Sequence, residues 1–334
     1  MDHHSLRRGN VGLLLSERVD VKEGPRIDSL ADKAGVSLQR YSPSRLPGDL
    51  GAIHAALFSR ELYEGSSLRQ PGPASNAFFK IVDAAPNLEW LHVCTSGLDL
   101  PQYAASLQRG IRVTPSSGTT ANPIALTVLA AVLAQSRGFT HWLRAQQEHR
   151  WAPLSGAERP RDISGQEAIV LGAGPLGLEI GRLLKAVGFR TAVVRRRIQQ
   201  TKNFDRCLTF EDLDKALPYC DWLILALPLN SDTKNVINAQ RLALLPKHAR
   251  LVNVARGELV DETALSAALR KEQLAGAYLD TFIEEPLPAD SALWDTPNLW
   301  LTPHNSAASQ GHEQRVVESF FIHLDGWLKA RQPK

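Results

Sequence analysis

The feature that most constrains the fold of this chain is the stretch IVLGAGPLGLEIGRLL, in which Gly172, Gly174 and Gly177 have the spacing G-x-G-x-x-G. An apolar, strand-like run ends just before the first glycine, and an amphipathic helical pattern follows. In that setting the first glycine permits a tight turn, the second lets a pyrophosphate approach the backbone, and the third lets helix and strand pack closely. The motif therefore predicts a dinucleotide-binding βα unit. A glycine-rich turn without a ligand is the alternative.

The start of the predicted helix supplies further phosphate contacts, because a helix N-terminus offers free peptide N–H groups to an anion. Pro175 fits the first helical turn but has no N–H of its own. Leu176 and its neighbours are therefore expected to be the donors.

Strand-like segments alternate with helical patterns along the whole chain, which predicts parallel sheets covered by helices on both faces. In the first part the predicted strands are 10–17, 53–60 and 88–97. A loop rich in Pro, Gly and Ser, 153–165, precedes a second doubly wound unit. Its predicted strands lie in EAIVLGAG, FRTAVV, DWLILALP, HARLVNVA, GAYLD and NLWLTPH. The fold class is therefore α/β, with a duplicated or nested pair of units, and a helix is predicted over 309–328.

A further helix is predicted over 121–139, with Pro123 near its start and apolar residues on nearly every face. A helix that is apolar all round is expected to be buried. Either a second domain or another subunit would cover it.

The composition of the chain limits the classes of partner that it is expected to bind. The chain has 38 basic and 35 acidic residues, so its net charge of +3 argues against nucleic-acid binding. Its three cysteines have no paired metal-ligand spacing, which predicts no metal site and reduced thiols in the cytoplasm. The short apolar run near the N-terminus does not resemble a signal peptide, and no segment approaches the roughly 18–20 apolar residues of a membrane span.

The strand after the glycine turn ends in three consecutive arginines, in TAVVRRR. A carboxylate at this place would bind the adenosine ribose hydroxyl and repel a 2′-phosphate, but this chain has Arg195 there, followed by Arg196 and Arg197. Guanidinium groups pair well with phosphate. The run therefore predicts a site for the 2′-phosphate of NADP, with NAD also possible. A solvated basic loop is the alternative.

Four polar residues follow later predicted strands: Arg256, Asp280, Glu285 and His304. Ligands of open α/β sheets bind at the carboxyl ends of the strands, where these residues are expected. An arginine can hold a substrate carboxylate and polarise a carbonyl, and a histidine can exchange the proton that accompanies hydride transfer. A carboxylate beside that histidine keeps it protonated near neutral pH.

With these motifs the sequence resembles the D-isomer-specific 2-hydroxyacid dehydrogenase family over about residues 85–310. The stretches that carry the resemblance are TSGLD, GAGPLG, ALPLNSDT, NVARGELVDETAL, LDTFIEEPLP and TPHNSAAS.

The resemblance implies a role for each matching residue. The catalytic set is Arg256 for the substrate, Glu285 and the acid/base His304. Asp280 would bond the nicotinamide carboxamide, and the backbone of Ser96, Gly97 and Leu98 would hold the substrate carboxylate. The other expected cofactor contacts are Ala226, Leu227, Pro228, Thr233, Val254 and Ala255.

The resemblance also implies an architecture. Two Rossmann-like domains are expected, with a cofactor domain, 122–304, inserted into a flavodoxin-like substrate domain formed by 1–121 and 305–334. The active site would lie in the cleft, and the 121–139 helix would form a homodimer. The chain departs from the family at Leu126, where an acid is frequent, and at Asn305 and Ser306, where the family is commonly glycine-rich or apolar.

The function that follows is an NADP(H)-preferring oxidoreductase that reduces small 2-oxo acids of the glyoxylate/hydroxypyruvate type. Within enzymes, oxidation of another small anion on the same scaffold is the second possibility. A dinucleotide-sensing protein with little turnover is the alternative from another class.

Overall fold

The computed structural model describes residues 10–66 and 71–331. The first nine residues, which enter the signal-peptide prediction, lie outside that description. The chain divides into two compact units: one draws on Met1–Thr119 and Gln310–Lys334, and the other is Thr120–Ser309. The second unit therefore extends a little further at both ends than the predicted 122–304. Its first helix begins at Ala121, and the backbone of Asn305 and Ser306 is hydrogen-bonded to Asp280 of the same unit.

The first unit contains a five-stranded parallel sheet in the order β2-β1-β3-β4-β5, which is the flavodoxin-like order predicted above. The strands are β1 (Val11–Leu14), β2 (Leu38–Tyr41), β3 (Ile53–Phe58), β4 (Trp90–Val93) and β5 (Arg112–Pro115). The helices between them are α1 (Glu17–Lys33), α2 (Arg60–Tyr63), α3 (Pro73–Ala84) and α4 (Pro101–Gln108). The sequence did not predict β2 or β5, because each is a short strand with polar residues.

The second unit contains a seven-stranded parallel sheet in the order β12-β11-β10-β9-β6-β7-β8. The strands are β6 (Glu167–Leu171), β7 (Arg190–Val194), β8 (Arg206–Leu208), β9 (Trp222–Leu225), β10 (Arg250–Asn253), β11 (Gly276–Leu279) and β12 (Leu299–Leu301). Counted within the unit, this is the order 3-2-1-4-5-6 of dinucleotide-binding folds, extended by one strand. The order reverses between β6 and β9, so a ligand is expected at the carboxyl ends of those strands.

The helices of the second unit cover both faces of its sheet. They are α5 (Ala121–Ser136), α6 (Phe139–Gln147), α7 (Pro175–Ala186), α8 (Phe210–Ala216), α9 (Ala239–Leu244) and α10 (Glu262–Arg270). On one face, Val128 and Val132 of α5 and Ile180 of α7 pack in one cluster with Val170 of β6. The α/β fold with two Rossmann-like units is thus confirmed.

The predicted helix over 121–139 is wrong at its C-terminal end. It ends at Ser136, because Gly138 adopts a left-handed backbone conformation with φ +79° before α6 begins. Leu126 is 48% exposed in the single chain, so the expected burial of the whole helix by another subunit remains a prediction. Among the described residues no single helix is long and apolar enough to cross a membrane, although α5 and α6 together, bent by 71°, pass the same test of length and composition.

The last helix, α11 (His312–Lys329), returns to the first unit and covers one face of its sheet. Phe320 stacks on Trp90 of β4 with ring centroids 5.6 Å apart, and Trp327 lies against the same indole. Burial of these rings explains why the C-terminal segment belongs to the first unit.

Candidate active site

The glycine turn between β6 and α7 has the geometry that its motif predicts. Gly172 adopts φ +114°, and a Cβ there would overlap the carbonyl oxygen of Ala226. A Cβ on Gly177 would overlap the carbonyl oxygen of Gly172. A Cβ on Gly174, by contrast, would meet no described atom within 4 Å. Packing inside the protein explains the first and third glycines, and the open space at the second suits a close approach by a phosphate.

The N-terminus of α7 faces that space. Pro175 is the first residue of the helix, and the first i→i−4 bond runs from Leu178 N–H to the carbonyl of Gly174. The N–H groups of Leu176 and Gly177 precede that bond, and Gly174 provides no side-chain cap. These residues fit the pyrophosphate of a dinucleotide.

A second loop, 226–233, begins beside the glycine turn, where Ala226 N–H donates to the carbonyl of Leu171 at 2.8 Å. Thr233 shapes this loop from within: its hydroxyl donates to the carbonyl of Pro228 and accepts from Asn230 N–H, both at 2.8 Å. Leu227 is buried, as are Val254 and Ala255 after β10. Their predicted cofactor contacts remain predictions.

Arg195 lies directly after β7, beside the glycine turn. The register pairs Leu171 of β6 with Val194 of β7, which brings Arg195 level with Gly172 at the same edge of the sheet. Its half-buried side chain donates to the hydroxyl of Thr201 at 3.2 Å.

The next two arginines are exposed. The guanidinium of Arg196 lies 4.0 Å from the carboxylate of Asp232 in the loop 226–233, and both side chains are largely in solvent. An exposed pair at that distance is weak. This contact leaves the guanidinium of Arg196 largely in solvent, and its predicted phosphate contact remains a prediction.

Arg256 lies just beyond β10, at the carboxyl edge of the sheet. The buried side chain of Asn253 fixes its backbone, because the amide donates to the carbonyl of Arg256 at 2.7 Å and accepts from Ala255 N–H at 3.1 Å. The guanidinium is half-buried and donates to the carbonyl of Ala255 at 2.7 Å. A Cβ on Gly257 would overlap the backbone of Phe282. The segment of Arg256 thus packs against the segment that leads to Glu285.

His304 and Glu285 form a pair at the same edge. The imidazole Nδ1 lies 2.8 Å from one carboxylate oxygen of Glu285, and the other oxygen accepts from Phe282 N–H at 3.0 Å. The glutamate is 14% exposed and the imidazole 37%. An ionised carboxylate only accepts hydrogen bonds, so this contact assigns a proton to Nδ1 and leaves Nε2 to exchange a proton with a substrate.

The environment keeps Glu285 ionised. Burial raises the pKa of this carboxyl, but the hydrogen bond and charge of His304, the N–H of Phe282 and the charge of Arg256 outweigh burial and lower the pKa. The ionised form of Glu285 therefore adds to the free energy of unfolding. This contribution is fully present above the ordinary pKa of a glutamate and is lost as the pH falls through the lowered pKa of Glu285.

We expect Glu285→Gln to move the pH dependence of reduction to lower pH. The single amide oxygen can accept from Phe282 N–H or from His304 Nδ1–H but not from both, and the amide has no charge to favour an imidazolium at His304. The measurement is kcat against pH in wild type and variant. Glu284→Gln is the matched control, since Glu284 is the exposed neighbour. An unshifted profile would show that this carboxylate does not set the state of the proton donor.

Asp280, which follows β11, is 2% exposed. Both of its carboxylate oxygens accept hydrogen bonds from the segment 302–306, on either side of His304. The predicted contact of Asp280 with the nicotinamide carboxamide remains a prediction, and the structure shows contacts of this carboxylate with the 302–306 segment.

The loop 96–98 follows β4 in the first unit. The hydroxyl of Thr95 donates to the carbonyl of Gly97 at 2.8 Å, and this local hydrogen bond stabilises the shape of the loop. Ser96 hydroxyl reaches the carbonyl of Ser116 at 3.5 Å. The predicted hold of Ser96, Gly97 and Leu98 on a substrate carboxylate remains a prediction.

Sequence reasoning assigned no structural role to three residues that shape the site. Asn253 fixes the backbone of Arg256, and Ser306 bonds Asp280. Glu262 accepts from Ile283 N–H at 2.8 Å, and its pKa is raised by burial and by the nearby charges of Glu258 and Glu285. Asn253 carried a signal as a polar residue at the end of an otherwise apolar strand, and Ser306 was noted only as a departure from the family.

The second unit has a dinucleotide-binding turn at the point where the strand order of its sheet reverses. An arginine and a histidine–glutamate pair lie at the same edge. Together these features define a nicotinamide-dinucleotide-dependent oxidoreductase. Residues 129–306 match the family model of the D-isomer specific 2-hydroxyacid dehydrogenase, NAD binding domain. The chain belongs to this family, which confirms the resemblance and makes the protein a 2-hydroxyacid dehydrogenase.

Individual relatives cover most of the chain. A glyoxylate reductase of Thermofilum pendens is 30% identical over 263 residues, 76% of each chain. A glyoxylate/hydroxypyruvate reductase B of Pectobacterium atrosepticum is 31% identical over 304 residues, 87% of this chain and 91% of that protein. The crystal structure of a D-isomer specific 2-hydroxyacid dehydrogenase from Xanthobacter autotrophicus Py2, in complex with NADPH and MES, is 29% identical with a TM-score of 0.72, covering 97% of this chain and 96% of that one.

Proposed function

We propose that this protein is an NADPH-preferring reductase of small 2-oxo acids, of the glyoxylate/hydroxypyruvate type. The observation that carries the cofactor preference is the position of Arg195, level with Gly172 where a carboxylate would select NAD. The substrate class is supported by the names of the relatives from Thermofilum and Pectobacterium. The Xanthobacter relative, whose structure contains NADPH, supports the cofactor.

In the proposed mechanism, Arg256 binds the substrate carboxylate and polarises the 2-oxo group. The backbone of the loop 96–98 is a second proposed contact for that carboxylate. A bound reduced nicotinamide supplies the hydride for the carbonyl carbon. His304 gives its Nε2 proton to the carbonyl oxygen, so that a 2-hydroxy acid forms, and Glu285 stabilises the imidazolium before that transfer. In the oxidative direction the same imidazole accepts the proton.

A spectrophotometric screen of 2-oxo acids, each with NADPH and with NADH, tests this function. We expect turnover with glyoxylate or hydroxypyruvate and a higher kcat/KM for NADPH than for NADH. Binding of NADPH without turnover of any 2-oxo acid would instead favour the dinucleotide-sensing protein.

The arginine run gives a separate test of the cofactor site. We expect the double variant Arg195→Ala, Arg196→Ala to lower kcat/KM for NADPH by about 10²-fold, because two charge-assisted hydrogen bonds to phosphate contribute roughly 1.5–3 kcal/mol each before screening by solvent. The value for NADH should hardly change. The loss should also shrink in high salt, since an exposed phosphate contact is screened.

Arg197→Ala is the matched control, because it removes the exposed third arginine of the run. It should leave the ratio of the two kcat/KM values close to that of the wild type. A wild type that prefers NADH, or a double variant that loses both cofactors equally, would make the run a solvated basic loop.

The proposed partner besides the substrate is a second copy of the chain. Apolar side chains of α6 and the following segment are exposed in the described chain: Phe139, Trp142, Leu143 and Trp151. The last of these is 97% exposed, and a patch of this kind typically marks an interface. A homodimer that buries the region of α5 and α6 accounts for it. A cytoplasmic location, without nucleic-acid or membrane partners, completes the proposal.

A further inference from the structure

The buried carboxylate of Asp280 is bonded to the segment that carries His304. One oxygen accepts from Thr302 hydroxyl at 2.5 Å and from Asn305 N–H at 2.8 Å. Ser306 N–H lies 3.1 Å from both oxygens, and Ser306 hydroxyl donates to the second oxygen. A carboxylate has about four lone-pair positions, so these donors occupy most of its capacity.

These contacts lie on both sides of a strained residue. His304 adopts φ +48°, in the left-handed region that residues other than glycine rarely adopt. Such a conformation persists only where the surroundings hold it. Its own N–H donates to the carbonyl of Thr302, and Asp280 binds Thr302 before it and Asn305 and Ser306 after it.

We propose that Asp280 and Ser306 are positioning residues, which hold the backbone of His304 so that its imidazole meets both Glu285 and the substrate. This inference rests on the proposed function of His304 as the acid/base. The ring is then fixed at two points, through Nδ1 by Glu285 and through the backbone by Asp280. Asp280 acts on the reaction through the 302–306 segment, in addition to any contact with the cofactor.

The hydroxyl of Ser306 is the part of this arrangement that an alanine would lack. Ser306 is 6% exposed, and its side chain points at a carboxylate that is also buried. Without the hydroxyl, the second oxygen of Asp280 keeps only the 3.1 Å contact with Ser306 N–H. The 302–306 segment then loses one of its hydrogen bonds to Asp280, and the imidazole of His304 loses alignment.

Ser306→Ala and Asp280→Asn test this proposal. We expect kcat to fall at least about tenfold in both, because displacement of a catalytic group by about 1 Å can lower the rate about 10²-fold. The Kd for NADPH, measured by fluorescence titration, should stay close to the wild-type value in Ser306→Ala. The matched control is Ser266→Ala, which removes another buried hydroxyl of the same unit, bonded to Thr296 at 2.7 Å. It should keep the wild-type kcat.

Chemical modification gives a readout that does not depend on turnover. The rate at which diethyl pyrocarbonate modifies His304, followed by mass spectrometry of its peptide, should rise in Ser306→Ala and stay unchanged in Ser266→Ala. This rate reports how firmly the imidazole is held, whether or not His304 is the acid/base. Full activity of His304→Ala would therefore overturn the proposed function without affecting this measurement.

Two results would overturn the positioning role. One is a Ser306→Ala variant with the wild-type kcat and the wild-type modification rate. The other is an Asp280→Asn variant that loses NADPH affinity at least about tenfold while Ser306→Ala keeps full turnover. The second result would make Asp280 a cofactor ligand alone. If Asp280→Asn does not fold, the comparison of Ser306→Ala with Ser266→Ala decides the question.

Discussion

Replacement of His304 by alanine is expected to lower turnover about 10²–10⁴-fold, the usual contribution of a general acid or base. In the proposed mechanism, the pair with Glu285 occupies Nδ1 at 2.8 Å and leaves Nε2 for the proton that accompanies the hydride. Binding of NADPH should remain mostly intact, because the pyrophosphate and 2′-phosphate contacts are proposed at the glycine turn and the arginine run. Single-turnover kinetics and a fluorescence titration of NADPH would separate the two effects.

His248→Ala is a matched control for this variant. His248 also has an imidazole nitrogen 3.0 Å from a carboxylate, that of Asp221, but Asp221 directly precedes β9 at the amino edge of the sheet. The control loses a similar histidine–carboxylate contact at the edge opposite the proposed site. It should therefore keep wild-type turnover. Wild-type turnover in His304→Ala would remove His304 from the mechanism.

The parts of the site that the sequence predicted are those that depend on a few neighbouring residues. The glycine turn is one, since the tasks of Gly172 and Gly177 follow from a strand and a helix that meet at a fixed spacing, and the structure gives each the packing reason that the motif implies. The position of Arg195 at the carboxyl end of a strand was also predictable, because the apolar run of β7 ends directly before it. The family and the two-sheet fold were predicted on the same basis and are confirmed.

The parts that the sequence did not predict depend on tertiary contacts or on weak local patterns. The strands β2, β5 and β8 are short and partly polar, and neighbouring strands define them more than their own residues do. The hydrogen bond from Ser306 to Asp280 forms only because the segment after β12 folds back towards the end of β11. No local sequence pattern predicts that arrangement. The early end of α5 did have a signal in Gly138, but the apolar periodicity on both sides concealed it.

Arg256→Lys should lower kcat/KM by about 10²–10³-fold, although the charge is conserved. The proposed arginine binds a carboxylate through two N–H groups in one plane and faces the oxygen on which negative charge develops. A lysine offers a point charge on a flexible chain, so it cannot supply both contacts at once. It would also lose the donor that ties the guanidinium to the carbonyl of Ala255 at 2.7 Å.

The distribution of this loss between kcat and KM is itself informative. Because Arg256 is proposed to bind the substrate carboxylate in the ground state and to stabilise the transition state, both constants should change, with the KM for the 2-oxo acid rising and kcat falling. The KM for NADPH should not change. Arg270→Lys is the matched control, since Arg270 lies exposed at the end of α10 and donates only to the carbonyl of Ala292 among its described contacts. If lysine at 256 sustains the wild-type kcat/KM, the planar two-point contact is wrong, and Arg256 acts at most as a source of positive charge beside Glu285.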